Sequence, residues 1–154
     1  MKAVILAVDP GAVSGALALR TPDGNFVVGD LPVVNGQMDA AAFARIVRDM
    51  KVTVAVVERV GAMPKQGVAS TFKFGFACGA ISGVLAASMV PIHYVVPAVW
   101  KRHFKLLSQP KEAARALAIR LHPEIEGLEL KKHHGRAEAL LMLDYHLETK
   151  GTNA

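Results

Sequence analysis

Lys2-Ala3-Val4-Ile5-Leu6-Ala7-Val8-Asp9-Pro10-Gly11 is an apolar run of strand length that stops at a carboxylate followed by proline and glycine. Proline has no N–H to give a ladder, so a central strand cannot continue through Pro10, and the run reads as a buried strand with Asp9 at its carboxyl end. Working outward, residues 14–20 form a second strand. Thr21-Pro22-Asp23-Gly24-Asn25 is turn chemistry, in which proline presets φ and glycine or asparagine accepts a positive one, so residues 26–31 return as a third strand of an antiparallel meander. Asp39 can cap a helix running to about Met50, with Phe43, Ile46, Val47 and Met50 on one face. Residues 52–57 are a β-branched strand that ends, like the first, on a carboxylate, Glu58. A long helix over 67–89, a strand over 92–96 and helices over 111–121 and 135–148 complete the chain. In the last of these, Ala137, Leu140, Leu141 and Tyr145 recur at helical spacing. The order β-β-β-α-β-α-β-α-α predicts an α/β domain built on one mixed sheet.

A chain of 154 residues with 52% hydrophobic and 20% charged residues buries a single core and is not disordered. We expect one domain over 1–150 and a frayed tail over 151–154. The lone Cys78 rules out a disulfide framework and a Cys-rich zinc site, and points to a reducing, cytoplasmic compartment. Residues 74–100 contain no Asp, Glu, Lys or Arg, long enough to span a bilayer. Pro91, His93 and Pro97 break that run, which predicts a buried helix followed by a buried strand, with no membrane partner. The first eight residues meet Asp9 too early for a signal peptide.

The net charge of +5 is unevenly spread: residues 1–98 carry 8 basic and 6 acidic side chains, residues 99–136 carry 9 and 4, and residues 137–154 carry 1 and 3. The third quarter is therefore the face for a polyanion. If the strands that end at Asp9 and Glu58 are adjacent and parallel, the two carboxylates meet at one rim of the sheet, where ligands bind in such folds. Carboxylates that close repel one another unless a divalent cation lies between them, and hard oxygen donors favour Mg²⁺ or Mn²⁺. His134 and Glu138, four residues apart, share one face at the start of the last helix.

These segments together resemble the RuvC-type Holliday junction resolvases of the RNase H-like superfamily, particularly a divergent phage-like branch. The resemblance rests on Val8-Asp9-Pro10-Gly11 with Ser14-Gly15, on Val57-Glu58-Arg59-Val60, on residues 63–70 (Met-Pro-Lys-Gln-Gly-Val-Ala-Ser), on residues 97–101, on Lys111, and on Gly135-Arg136-Ala137-Glu138-Ala139-Leu140-Leu141. It runs nearly the whole chain in family order. It implies an RNase H-like fold with a mixed five-stranded sheet flanked by helices, and a homodimer. It further implies that Asp9, Glu58 and Glu138 are metal ligands and catalytic residues. Where the family has a further acidic residue before the last one, this chain has His133-His134, so His134 takes the fourth catalytic and metal position, with His133 as the alternative.

The activity so implied is metal-dependent hydrolysis of phosphodiester bonds in four-way DNA junctions, with 5′-phosphate and 3′-hydroxyl ends. Two cations about 3.5–4 Å apart would activate water and neutralise the leaving oxygen. Lys101 and Lys111 match basic positions beside the family's active site, and Arg102, Lys105, Arg115, Lys131, Lys132 and Arg136 extend the patch toward phosphate. Lys65, Phe72, Lys73 and Phe74 interleave basic and aromatic groups near Glu58, with Phe72 a candidate wedge against an unstacked base. Trp100 reads as a packing anchor. The smooth row of Gly75, Gly79, Ala80, Gly83 and Ala87 predicts close helix approach, within the core or across a dimer axis. Competing readings are an RNase H-like nuclease for other branched DNA or hybrids, and a DNA-binding module whose metal site has decayed. An actin-like or sugar-kinase ATPase needs two such domains, for which 154 residues leave no room.

Overall fold

The computed structural model describes residues 2–152. Its main sheet comprises β1 (Ile5–Asp9), β2 (Ala16–Arg20), β3 (Phe26–Asp30), β6 (Val54–Glu58) and β7 (Ile92–Val95), in the order β3-β2-β1-β6-β7. The meander β1–β2–β3 is antiparallel, and β6 and β7 add to it in parallel, each reached through a helical crossover. A short ribbon, β4 (Val33–Val34) with β5 (Gln37–Met38), leads into α1 (Ala40–Asp49). The remaining helices are α2 (Val68–Ala87), α3 (Pro97–His103), α4 (Lys111–Leu121) and α5 (His134–Lys150), the last preceded by a 3-10 turn over Lys131–His133. Asp39 caps α1 as its sequence position suggests, accepting from the Ala42 N–H at 2.9 Å.

Alternation along the central strands divides the core in two. Ile5, Ala7, Val54 and Val56 face a layer made by α3, α4 and α5, while Leu6, Val8, Ala55 and Val57 face α1 and α2. Helix α5 is the spine of the first layer. Ala137, Ala139, Leu140, Leu141, Met142 and Leu143 are all fully buried between the sheet and α4, so the helix is enclosed nearly all round rather than along one stripe.

Three expectations need correction. Helix α2 is not a buried helix: the row Ala77, Ile81, Leu85 is buried against the sheet side with Ala80 and Val84 half-buried beside it, and Gly75, Phe76, Gly79, Gly83 and Ala86 lie open. It is apolar around its whole circumference, so its composition cannot show that a single row suffices for the sheet. Among the described residues it is the one helix long and apolar enough, by length and composition, to cross a membrane. Strand β7 is likewise not buried. It is an edge strand with β6 on one side only, leaving Ile92 and His93 half-buried and Tyr94 exposed. The strand expected over 52–57 begins only at Val54, because Thr53 Oγ1 takes over the ladder at Val4, accepting from its N–H at 3.1 Å and donating to its carbonyl at 3.0 Å.

Two elements lie outside the sequence reading. The β4–β5 ribbon turns on Asn35-Gly36, both at positive φ (50° and 75°), which is the dipeptide that a two-residue hairpin turn favours. Helix α3 starts on Pro97 at its first position, after an extended Val96. Lys150 still belongs to α5, and Gly151 ends the helix at φ 77°; the last two residues of the expected tail fall outside the described ones.

Candidate active site

β1 and β6 pair in parallel with Val8 opposite Val57, so the next residue of each strand, Asp9 and Glu58, come side by side. Asp9 is in phase with Ile5 and Ala7, and Glu58 with Val54 and Val56, so strand alternation aims both carboxylates at the α5 layer. There they share a side-chain hydrogen bond. The loop that follows Asp9 admits only glycine at two points: a Cβ on Gly11 would lie 1.4 Å from the Ser14 carbonyl oxygen, and one on Gly15 2.8 Å from that of Asp9. This explains the Asp-Pro-Gly and Ser-Gly pairs as one tight return from β1 to β2.

The first turn of α5 closes over the pair. Gly135 brings the helix start close to the acids: a Cβ there would stand in ordinary contact, 3.6 Å from Asp9 Oδ2 and 3.4 Å from Ala16. Glu138, one turn on, acts on both carboxylates through its charge and is met by Lys101 Nζ at 3.7 Å. Burial, followed by the charges of Glu58 and Glu138, pushes Asp9 up to about 8, so at neutral pH it holds the proton of the shared bond. Burial also raises Glu58, against the opposing effect of a hydrogen bond from Trp100, whose indole Nε1–H donates to Glu58 Oε2 at 2.8 Å. This bond joins residues 42 apart in the sequence, and no local pattern signals it.

His134 and Lys132 line a cleft of about 120 Å³ with Asp9, Ser14 and Gly135. The neighbouring His133 is turned away. Its ring is buried, and Nδ1 accepts the Leu130 backbone N–H at 3.2 Å to close the 3-10 turn. Of the two histidines, only His134 lines the Asp9 cleft. Among the described residues no three His, Cys, Asp or Glu side chains form a ready metal cluster. The hydrogen bond between Asp9 and Glu58 and the ion pair from Lys101 to Glu138 occupy the oxygens instead.

The expected DNA contacts divide. Lys65, Lys73, Arg102, Lys105, Lys111, Lys131 and Lys132 are exposed, and Phe72 is 74% exposed on the outer side of α2, so it is no core aromatic. Phe74 is half-buried. Arg136 is not free for phosphate: its guanidinium forks onto Asp30 at 2.8 and 2.9 Å and reaches the Gly127 carbonyl at 3.1 Å, fastening the start of α5 to the end of β3. Arg115 is likewise taken, by Glu112 and the Leu128 carbonyl. Trp100 is the expected packing anchor, fully buried, with the added bond to Glu58.

No protein-family model and no curated protein sequence matches the chain. Solved structures do. RuvC from Thermus thermophilus superposes with a TM-score of 0.68 at 15% identity, over 97% of each chain. The same protein in complex with a Holliday junction substrate gives 0.65 at 13%, over 96% of this chain and 97% of that one. The yeast mitochondrial Holliday junction resolvase Ydc2 gives 0.54 at 11%, over 97% and 82%. With its mixed five-stranded sheet and flanking helices, the chain has the α/β, RNase H-like fold of RuvC.

Proposed function

We propose that the protein is a metal-dependent, structure-selective endonuclease that resolves four-way DNA junctions, leaving 5′-phosphate and 3′-hydroxyl ends. The observation that carries this reading is the meeting of Asp9, Glu58 and Glu138 at one sheet rim, on a fold shared with a protein solved on a Holliday junction. An acid cluster in which Asp9 keeps its proton up to about 8 despite the nearby Lys101 ammonium is short of positive charge, and its oxygen donors suit Mg²⁺ or Mn²⁺. Asp9, Glu58 and Glu138 would hold the ions, with His134 as a fourth donor from the cleft wall. Two cations held there would supply an activated water and neutralise the leaving oxygen. Lys101, released from Glu138, and Lys111 would anchor the phosphate backbone beside the acids, and the exposed Phe72 would stack against an unpaired base at the branch point. The outward apolar face of α2 would pair two copies into a homodimer.

The deciding experiment offers a labelled mobile four-way junction beside flap, fork and linear duplex controls, in Mg²⁺ and in Mn²⁺. Preferential symmetric cutting of the junction is the expected outcome. Equal or better cutting of flaps or hybrids would replace it with a broader RNase H-like nuclease. One observation favours a binding module without cleavage, namely that no ready three-residue metal cluster exists among the described residues. Tight junction binding with no cutting in either metal would establish that module.

A further inference from the structure

Helix α3 touches the acid cluster at consecutive residues: Trp100 donates its indole N–H to Glu58 at 2.8 Å, and Lys101 lies 3.7 Å from Glu138 and 5.3 Å from the centre of the Trp100 ring. The Trp100–Glu58 bond is fully buried, and its acceptor is Oε2 alone. A neutral donor inside a protein does not cancel the carboxylate's charge. It fixes the plane of the group and commits one oxygen, leaving Oε1 to meet whatever lies beside Asp9. We propose that Trp100 is a positioning residue that orients Glu58 for single-oxygen coordination of a divalent cation, and that its emission reports occupancy of the site. This rests on the reading of Glu58 as an ion ligand. The chain has one tryptophan, so intrinsic indole fluorescence comes from this contact and nowhere else.

The test compares the wild-type chain with Trp100→Phe, which keeps an aromatic ring in the core but removes the donor, and with Glu58→Gln. Mn²⁺ binding is measured by electron paramagnetic resonance of the free ion, and Mn²⁺ quenching by tryptophan emission. Junction affinity in chelator serves as the control for folding. Wild type should bind Mn²⁺ and show saturable quenching over the same concentration range, and Glu58→Gln should lose the saturable part. Trp100→Phe should keep its junction affinity while binding Mn²⁺ about tenfold more weakly, the low end of what lost outer-shell partners cost. Half-maximal cleavage should then need correspondingly more metal. Unchanged Mn²⁺ affinity and metal requirement in Trp100→Phe would overturn the positioning role while leaving the nuclease reading intact. If that variant does not fold, wild-type emission decides: bound Mn²⁺ without quenching refutes the contact. A wild-type chain that binds no Mn²⁺ would overturn both readings.

Discussion

Asp9 is held at a protonation state that its own chemistry resists. A carboxyl whose value rises from 3.8 to about 8 on folding binds its proton more tightly in the folded than in the unfolded chain. Its contribution to stability is therefore full below about pH 4 and is lost as pH rises through 8. In chelator, melting temperature should fall between pH 5 and 9. Asp9→Asn should flatten that fall and melt higher than wild type at pH 8.5 by at least about 3 °C, while abolishing cleavage. A steeper loss in the variant would show that Asp9 is not the strained group. Both strand-end acids are legible in the sequence because each is the first charge after a run of strand length that is free of charge. The choice between His133 and His134 is not, since it turns on a helix start displaced by one residue. With His134 on the cleft wall, an imidazole stands where a carboxylate would carry charge, so activity should favour Mn²⁺ over Mg²⁺. His134→Asp should raise Mg²⁺-supported cleavage severalfold, and His133→Ala should cost stability rather than metal preference. The Trp100–Glu58 bond is hidden for a different reason: only the completed fold brings α3 onto β6.

Elements position the site through a few polar fasteners as well as through apolar packing. The rigid pair is β1 with β6, whose parallel register alone sets Asp9 beside Glu58; two apolar runs with the same ending are enough to suggest that meeting from the sequence. The placement of α5 cannot be read in the same way, because its apolar residues exceed any single stripe and because Arg136–Asp30 and His122–Asp144 join distant segments. His122 Nε2 lies 2.8 Å from Asp144 Oδ2, tying the end of α4 to the middle of α5. The bond to Asp144 raises the His122 pKa above the ordinary 6.5. A histidine raised in this way contributes its stability fully below its unfolded value and loses it as pH rises through the folded one. Asp144→Asn should therefore destabilise the protein by about 1 kcal/mol at pH 6 and by much less at pH 9. Urea melts at the two pH values read this directly. The loss linked to Asp9 begins at the ordinary carboxyl value of 3.8 and that linked to His122 only at 6.5, so the fall below about pH 6 belongs to Asp9 alone, and above it Asp9→Asn and Asp144→Asn tell the two overlapping effects apart.

At the scale of the whole molecule, the charge distribution and the exposed apolar helix make different demands. The excess of basic residues over 99–136 includes exposed Lys105, Lys111, Lys131 and Lys132, the last of them on the wall of the Asp9 cleft, so junction binding should weaken steeply with salt. The outward side of α2 is apolar and open, the face that the proposed homodimer would use. A helix of 20 residues is about 30 Å long, and Gly75, Gly79 and Gly83 leave its open face with nothing within 4 Å of an added Cβ. Two such faces can approach closely about a two-fold axis, which would set two acid clusters on one junction and let both strands be cut within one encounter. The wild-type chain should therefore sediment at twice its own mass at micromolar concentration. Gly79→Arg adds a charge to the centre of the face without touching the buried row Ala77, Ile81, Leu85, so it should leave a folded monomer with unaltered Mn²⁺ binding. On a plasmid carrying an extruded cruciform, the dimer should release linear product by paired cuts, whereas the Gly79→Arg monomer should yield mainly nicked circles at a rate lower by about tenfold or more, because two independent encounters replace one. A wild-type monomer that linearises the plasmid would assign the α2 face to some other partner. A Gly79→Arg variant that remains dimeric would place the two-fold axis elsewhere on the molecule.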